Sequence, residues 1–386
     1  MIVPLMEAVA DTCGGKAGTL GVLLRAGLPV PDGFVVPFAA YRARPLHATV
    51  VDALGRALDD LGDPPVAVRS SAADEDTGQA SAAGQHESFL AVHGVSEVAD
   101  AVRACWASLS SPRAIAYRAA SGHAYNDLAM AVIVQRHLDA EVSGVMFTPA
   151  GPNNATEIEA SWGLGPSIVG GTVTPDAYRV AQDGTVTRTI ADKRTRLDRR
   201  GTRLVMSDVP TRTRDRPAID DATATRLAEL GREIAAVLGG PQDIEWAIVD
   251  GRTWILQARP ITAAPPPRPS PSDASDIPAA TLTGTPGSHG RVTGTARIVR
   301  GPGDFARVHP GDILVCPFTD PAWTPLPRIA AGVVTETGGV LSHAAIVARE
   351  HAIPAVLGIP NATIRLHDDT LITIDGTTGT VTATNA

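Results

Sequence analysis

A proline-rich segment divides this 386-residue chain into two parts of unequal length. The segment reads 264-APPPRPSPSD-273, and five of its ten residues are proline. Proline fixes its own φ and has no backbone N–H to donate, so such a run favours extended polyproline II over helix or sheet. We therefore predict an N-terminal domain over 1–263, a linker over 264–280 and a C-terminal domain over 281–386.

The N-terminal part carries the patterns of both helices and strands. Apolar residues recur at helical spacing in three segments, of which the last two begin with Ser and Asp, common N-cap residues. These segments are 18–27, 96–109 and 221–239. Strand patterns occupy 65–70, 129–135, 143–148, 244–250 and 252–258. The last two strands flank Asp250 and Gly251, a pair that favours a tight hairpin turn.

The C-terminal part alternates short strands with one helix. The strand patterns lie at 291–299, 312–316, 332–336 and 371–375. The segment 342–350 follows Gly338 and Gly339 and has helical spacing. We therefore predict a small α/β domain after the linker, and a mixed α/β fold for the chain.

Charge and cysteine content exclude several classes of function. The formal net charge is −8 and the pI about 5.7, so no basic surface is expected to recruit nucleic acid or anionic lipid. One basic segment, 193–203, is predicted to be a solvated surface loop. The three cysteines, Cys13, Cys105 and Cys316, are far apart and predict neither a disulfide framework nor a zinc site. Without a basic leader or a long apolar run, the sequence predicts a cytoplasmic protein.

The turn 338-GGVLSHAAIVARE-350 is suited to phosphate chemistry on a histidine. Ser342 is a candidate N-cap and places His343 at the first helical position. The dipole at a helix start disfavours an imidazolium, so it favours the neutral, nucleophilic ring. Unpaired amides there stabilise an attached phosphoryl group, and Gly338 and Gly339 permit close approach of the backbone. We predict that His343 carries phosphate.

Lysine is rare in this chain, and one lysine lies where phosphate binding is expected. Of the 33 lysine and arginine residues, only Lys16 and Lys193 are lysine. Lys16 follows Gly14 and Gly15 before a helix, a turn that offers amides and one mobile ammonium to a polyphosphate. For Lys193 the residues leave two readings open, a reach to the nucleotide or acceptor and a simple surface role.

Two further segments place polar groups where a nucleotide could meet them. Arg69 ends a predicted strand and precedes a loop rich in Gly, Ala and Ser that can fold over phosphates. In the predicted hairpin, Gln257 and Arg259 share one face because side chains alternate along a strand. Glu245 and Gln257 offer oxygen ligands to Mg²⁺, and Arg259 offers positive charge to phosphate.

These segments together resemble a known family. The stretch 337-TGGVLSHAAIVAREHAIPAV-356 resembles the phosphohistidine signature of the phosphoenolpyruvate synthase and pyruvate, phosphate dikinase family, which includes rifampicin phosphotransferase. The stretch 14-GGKAGTLGVLLRAGLPVPDGFVV-36 is similar to that family's opening ATP-binding segment. The resemblance implies an ATP-grasp-like nucleotide-binding domain followed by a small β/β/α phosphohistidine swivelling domain.

The resemblance also implies site residues and cofactors. It makes His343 the catalytic residue and implies ATP and Mg²⁺ as cofactors, with Glu245 and Gln257 as metal ligands. The nucleotide-binding positions that it implies are Lys16, Arg69, Gly84, Ser88, Gln135, Glu245, Gln257 and Arg259. Ser88 keeps the hydroxyl that relatives supply with threonine, and Gln135 is expected near the base.

The implied reaction has three steps. His343 attacks the β-phosphate of MgATP and releases AMP, hydrolysis then releases phosphate and leaves phosphohistidine, and that group passes to an acceptor. A proline-rich arm suits a domain that must visit two sites. Synthesis of phosphoenolpyruvate within this chain alone is not expected, since little sequence remains for the barrel or helical acceptor domain of relatives.

Three functional readings remain open at the level of sequence. The first is an enzyme that phosphorylates a small-molecule acceptor, with no nucleic-acid or membrane partner. The second is a phosphocarrier that passes phosphate to a separate acceptor protein, and the third is a non-catalytic nucleotide-binding regulator. The joint presence of the nucleotide-site residues and His343 argues against the third. Tyr125, Trp323 and Asp320 are candidates for lining an acceptor pocket, and 319-TDPAWTPL-326 resembles a family loop that faces the histidine.

Overall fold

A computed structural model describes most of the chain. The described residues are 2–72, 87–111, 114–115, 128–151, 155–263, 281–320, 323 and 326–383. The predicted linker over 264–280 lies outside them. The described residues form three large sheets, one separate two-stranded hairpin and eight α-helices, which confirms the predicted mixed α/β fold.

The first sheet has five strands in the order β1-β2-β5-β3-β4. Its strands are Val3–Pro4 (β1), Gly33–Val36 (β2), Val66–Ala72 (β3), Ser88–Val92 (β4) and Met130–Arg136 (β5). The helices of this region are Ala10–Arg25 (α1), Phe38–Arg42 (α2), Ala48–Asp60 (α3) and Gly94–Ser108 (α4). The run of apolar residues in β5 is buried along almost its whole length, because β5 is a central strand covered by helices.

The second sheet has six strands in the order β13-β12-β6-β7-β8-β9. Its strands are Val142–Phe147 (β6), Thr156–Trp162 (β7), Asp176–Val180 (β8), Val186–Thr189 (β9), Gln242–Val249 (β12) and Arg252–Pro260 (β13). The separate hairpin pairs Thr195–Arg200 (β10) with Arg203–Asp208 (β11), and the helices are Pro166–Val169 (α5) and Asp221–Leu238 (α6). One apolar core joins the first sheet to this one.

The third sheet has eight strands in the order β14-β21-β20-β16-β17-β18-β19-β15. Its strands are Thr281–Thr283 (β14), Thr285–Ser288 (β15), Arg291–Ile298 (β16), Ile313–Cys316 (β17), Gly332–Thr335 (β18), Ala355–Leu357 (β19), Leu371–Asp375 (β20) and Thr380–Ala383 (β21). Strands β16 to β19 run parallel. Helix His343–Glu350 (α7) connects β18 to β19, and Ala362–Arg365 (α8) follows β19.

The local predictions were largely confirmed, but the N-caps of two helices need correction. Asp250 and Gly251 have φ of 50° and 71°, as a type I′ hairpin turn requires. The helix predicted over 96–109 begins at Gly94, so Ser96 is not its N-cap. The helix predicted over 221–239 is capped by Asp220, whose carboxylate accepts from Thr223 N at 2.7 Å.

The first helix and the basic segment also differ from expectation. Helix α1 starts at Ala10, ahead of the predicted 18–27, and is interrupted at Gly14. The basic segment 193–203 is not a loop, since it contains strand β10 and the turn into β11. Arg196 pairs with Asp198, and Arg199 pairs with Asp139. Within the described ranges, no helix has the length and the apolar content that crossing a bilayer requires.

Candidate active site

A cavity of about 700 Å³ lies where the first and second sheets meet helix α7. Its walls include every described residue to which the sequence assigned nucleotide, metal or phosphoryl chemistry. These residues are Lys16, Arg69, Ser88, Gln135, Glu245, Gln257, Arg259 and His343. Gly84 lies outside the described residues. Side chains from both sides of the predicted linker therefore face one space.

A break in helix α1 brings Lys16 to this cavity. Gly14 has φ 81° and ψ 166°, a conformation that interrupts the helix two residues before Lys16. A Cβ at Gly14 would lie 2.2 Å from the carbonyl oxygen of Ser71 on β3, so only glycine fits between the two elements. The helix resumes with Ala17 N donating to Ser71 Oγ at 3.1 Å. Lys16 thus sits on the first turn after the break.

Arg69 connects the first sheet to the second. It lies on β3 opposite Ser88 of β4. Its Nη1 donates to the carbonyl of Leu256 at 2.7 Å, and its Nη2 donates to Gln257 Oε1. The same Nη2 lies 3.8 Å from Glu245 Oε2. The guanidinium is therefore held beside both predicted metal ligands.

The hairpin β12–β13 arranges four polar residues in two adjacent rows. Glu245 lies opposite Gln257, and Asp243 lies opposite Arg259. Arg259 donates to Asp243 Oδ2 through both Nε and Nη2, each at 2.8 Å. Both partners are more than nine-tenths buried, so the ion pair fixes the direction of the arginine fork. Asp243 was missed from sequence, although its place two residues before Glu245 puts it on the same face.

The pair Glu245 and Gln257 fits a magnesium ion that is also held by phosphate. The two side chains face each other across the strands and offer one carboxylate and one amide oxygen, which are hard ligands. Among the described residues, no group of three or more His, Cys, Asp or Glu could form an all-protein metal cage. Mg²⁺ typically takes one or two protein oxygens and completes its shell with phosphate and water.

Gln135 lines the cavity and is tied to the scaffold through its amide nitrogen. It lies on β5 opposite Ala67 of β3, and its side chain is buried. Its Nε2 donates to the carbonyl of Pro31 at 2.9 Å. Its amide nitrogen therefore fixes the strand that forms the cavity wall.

The histidine turn has the expected backbone and an unexpected hydrogen bond. Helix α7 begins at His343, and Ser342 takes the extended N-cap conformation, as predicted. The Ser342 hydroxyl does not cap the helix; it donates to the carbonyl of Gly339 at 2.7 Å and closes the turn locally. His343 is 4% exposed, and its Nδ1 lies 3.1 Å from Thr319 Oγ1. Thr319 fixes the orientation of the imidazole.

A buried glutamate from the second sheet holds the same turn. Glu159 on β7 is 2% exposed, and its Oε2 accepts from Leu341 N at 3.3 Å. A Cβ at Gly339 would lie 2.2 Å from its Oε1, so this glycine admits a carboxylate of the other domain. Burial raises the pKa of Glu159 to about 7, against the opposing effects of the Leu341 and Val340 amides and of Arg349.

Apolar and polar contacts complete the docking of helix α7 on the second sheet. The apolar cluster combines Val145, Phe147, Ile168 and Val173 of the N-terminal part with Leu341 and Ile346 of the histidine segment. Thr337 Oγ1 donates to the carbonyl of Gly171 at 2.6 Å. Thr262 Oγ1 donates to Glu350 Oε1 at 3.0 Å. The histidine therefore reaches the cavity as part of a packed interface.

Lys193 has neither of the roles considered from sequence. It is fully buried, and its Nζ donates to Asp176 Oδ1 at 2.5 Å and to the carbonyl of Ala191 at 3.1 Å. Asp176 also accepts from the backbone N–H of Ala218 at 2.7 Å. Lys193 does not line the cavity. Lys193 forms a core ion pair, a role that no sequence pattern indicated.

The three candidate acceptor residues have different outcomes. Asp320 lines the cavity, together with the neighbouring Phe318. Trp323 instead packs edge-on against Phe305 in the core of the C-terminal part, with ring centroids 5.2 Å apart. Tyr125 lies outside the described residues.

Sequence comparisons agree with this arrangement. Residues 42–276, more than half of the chain, match the family described as "Pyruvate phosphate dikinase, AMP/ATP-binding domain". Residues 308–379, which include His343, match "PEP-utilising enzyme, mobile domain".

Curated relatives extend the similarity over nearly the whole chain. A probable phosphoenolpyruvate synthase of Methanothermobacter thermautotrophicus is 36% identical, over 95% of this chain and 61% of that protein. One of Archaeoglobus fulgidus is 36% identical, over 95% of this chain and 56% of its own. The phosphoenolpyruvate synthase of Aeropyrum pernix is 33% identical, over 96% of this chain and 56% of that protein. The chain thus spans about three fifths or less of the length of these relatives.

Proposed function

Because the chain belongs to the pyruvate phosphate dikinase AMP/ATP-binding family, we propose that it is an ATP-dependent phosphotransferase with His343 as its covalent phosphate carrier. One observation carries the proposal: His343 shares a single cavity with Lys16, Arg69 and Arg259. A nucleophile and three cations around one space meet the needs of phosphoryl transfer, in which positioning and charge compensation dominate.

The proposed first step transfers a pyrophosphoryl group from ATP to the protein. We assign Nε2 as the nucleophile, with the tautomer in which Nδ1 carries the proton and donates it to Thr319 Oγ1, 3.1 Å away. Nε2 bonds to the β-phosphorus, the bond from that phosphorus to the α,β-bridging oxygen breaks, and AMP leaves with the electron pair. Arg69 and Arg259 are held by hydrogen bonds, so their charges face the phosphates without reorganisation.

Two further steps return His343 to its free form. Water hydrolyses the terminal phosphate of the pyrophosphohistidine and leaves phosphohistidine and inorganic phosphate. The phosphoryl group then passes to an acceptor and regenerates the imidazole. Mg²⁺, held by Glu245 and Gln257, would neutralise phosphate charge in the nucleotide site.

The transfer to the acceptor requires His343 to leave the nucleotide cavity. The family description of residues 308–379 as a mobile domain supports this movement. We propose a small-molecule acceptor. The sequence did not predict phosphoenolpyruvate synthesis by this chain alone, but pyruvate is the first acceptor to test because the relatives are named phosphoenolpyruvate synthases. A separate acceptor protein is the second candidate, and labelled phosphoprotein that no small molecule discharges would favour it.

The proposal is tested by following AMP and phosphoprotein together. The purified chain incubated with MgATP should form AMP and an acid-labile, base-stable phosphoprotein. His343→Ala should abolish both products, whereas His367→Ala, at an exposed histidine of the same domain, should form them at the wild-type rate. Equal AMP formation by His343→Ala would overturn the assignment.

A further inference from the structure

We propose that Asp320 is the general base of the hydrolysis step, in which water releases the terminal phosphate from pyrophosphorylated His343, an inference that rests on the proposed function. Asp320 lines the same cavity as His343. It follows Thr319 directly in the chain, and Thr319 Oγ1 lies 3.1 Å from His343 Nδ1. Consecutive Cα atoms are about 3.8 Å apart, so a carboxylate stands one residue from the contact that orients the imidazole.

The segment that carries Asp320 is held by backbone hydrogen bonds on both sides. The carbonyl of Pro317, directly after β17, accepts from the backbone N–H groups of Glu336 and Thr337, each at 3.1 Å. The carbonyl of Asp320 accepts from the backbone N–H of Trp323 at 2.9 Å, and Trp323 is buried in the core of the C-terminal part. A general base acts only from a defined position, and these bonds define the position of the Asp320 backbone.

The other carboxylates of the cavity are less suited to this role. Of the described residues that line it, three carry carboxylates: Glu87, Glu245 and Asp320. Glu245 is assigned to Mg²⁺, and its Oε2 lies 3.8 Å from Arg69 Nη2. Glu87 directly precedes β4 and belongs, like Glu245, to the N-terminal part. Asp320 belongs to the part of the chain that carries His343, so it stays with the pyrophosphohistidine whether that part is docked or undocked.

The step balances with water as the only co-reactant. The Asp320 carboxylate accepts a proton from a water molecule while the water oxygen bonds to the terminal phosphorus. The bond from that phosphorus to the bridging oxygen breaks, and its electron pair stays on the phosphate that remains attached to His343. The products are inorganic phosphate and phosphohistidine, and Asp320 then returns its proton to the solvent. A positioned base accelerates such a proton transfer by roughly 10²- to 10⁴-fold.

The test follows ATP labelled at the γ-phosphate through a single turnover with Mg²⁺. In the wild-type chain AMP should form and the label should appear as inorganic phosphate. Asp320→Asn keeps the size of the side chain and removes the base. AMP should therefore form at the wild-type rate, while release of the label slows by on the order of 10²-fold. The label should stay on the protein, and the intact mass should show a pyrophosphoryl group in place of a phosphoryl group.

Two further variants separate a catalytic role from a structural one. Asp320→Ala with added formate, which supplies a carboxylate in solution, should recover part of the lost release, whereas a structural defect would not respond to formate. Asp369→Asn is the matched control, because Asp369 is an exposed aspartate of the same part and does not line the cavity. It should release the label at the wild-type rate.

The outcomes that overturn the role of Asp320 are distinct from failure of the proposed function. Release of the label at the wild-type rate in Asp320→Asn, or no response of Asp320→Ala to formate, would overturn it. If Asp320→Asn fails to fold, the response of Asp320→Ala to formate decides the question. A wild-type chain that forms no AMP would refute the proposed function, and this inference with it. AMP formation with normal release in Asp320→Asn would refute the role of Asp320 alone.

Discussion

Replacing Glu159 with glutamine should make the docking of the His343 turn independent of pH. In the docked structure Glu159 is buried, and burial is the largest cause of the rise of its pKa from 4.5 to about 7. Arg349 faces it from helix α7 and opposes the rise, as do the amides of Leu341 and Val340. When the C-terminal part undocks, water reaches the carboxyl and its pKa returns towards the ordinary value.

The sign and size of the effect follow from this difference in pKa. The docked state has the raised pKa, so it binds the proton more tightly than the undocked state. The free energy that protonated Glu159 contributes to docking is fully present below pH 4.5 and is lost as the pH rises through about 7. At about 1.36 kcal/mol per pKa unit, the full change is roughly 3 kcal/mol, or on the order of 10²-fold in the docking equilibrium. Glutamine keeps an acceptor oxygen and does not ionise, so Glu159→Gln should stay as firmly docked as the protonated wild type.

Hydrogen exchange of the Leu341 amide measures the opening of this interface directly. After correction for the intrinsic exchange rate, wild-type protection should fall by on the order of 10²-fold between pH 5 and pH 8. Protection in Glu159→Gln should stay constant. Glu157→Gln is the matched control, since Glu157 lies on the same strand and pairs with Arg179, and it should follow the wild type. Loss of protection with rising pH in Glu159→Gln, as in the wild type, would show that Glu159 is not the group that controls docking.

Three further substitutions test other parts of the site. Lys193→Met leaves Asp176 buried without its ion-pair partner and should lower the free energy of unfolding in urea by about 3–5 kcal/mol; a loss below about 1 kcal/mol would contradict the core role. Gly14→Ala places a Cβ 2.2 Å from a backbone oxygen of β3. The affinity for ATP, measured by calorimetry, should fall by on the order of 10-fold. Gly27→Ala, also at positive φ but with nothing within 4 Å, should bind ATP normally. Thr319→Val removes the hydroxyl that orients His343. It should slow single-turnover AMP formation by about 10-fold at unchanged ATP affinity. An unchanged rate would show that Thr319 does not orient the histidine for reaction.

Local sequence patterns were enough to predict the elements that carry the site. Asp250 and Gly251 predict the hairpin because both adopt positive φ, and that hairpin places Glu245 opposite Gln257. Likewise, Ser342 predicts where helix α7 begins. These predictions depend on backbone preferences of a few adjacent residues, which the sequence expresses directly.

Contacts between distant segments could not be predicted in the same way. No sequence pattern singled out Glu159, and only the packing of the two parts of the chain brings it against Leu341. In the sequence, Lys193 begins a basic segment that was predicted to lie at the surface. In the structure it pairs in the core with Asp176, which precedes it by 17 residues. The Ser342 hydroxyl is a different case, because it donates to the nearby carbonyl of Gly339 and does not cap the helix.

The fate of the individual phosphates of ATP shows whether His343 is the residue that carries phosphate. ATP labelled at the β-phosphate should leave its label on His343, and ATP labelled at the γ-phosphate should release its label as inorganic phosphate while AMP forms. Peptide mapping by mass spectrometry under alkaline conditions locates the labelled residue. Label from the γ-phosphate retained on the protein with formation of ADP, or β-label on a residue other than His343, would contradict the account.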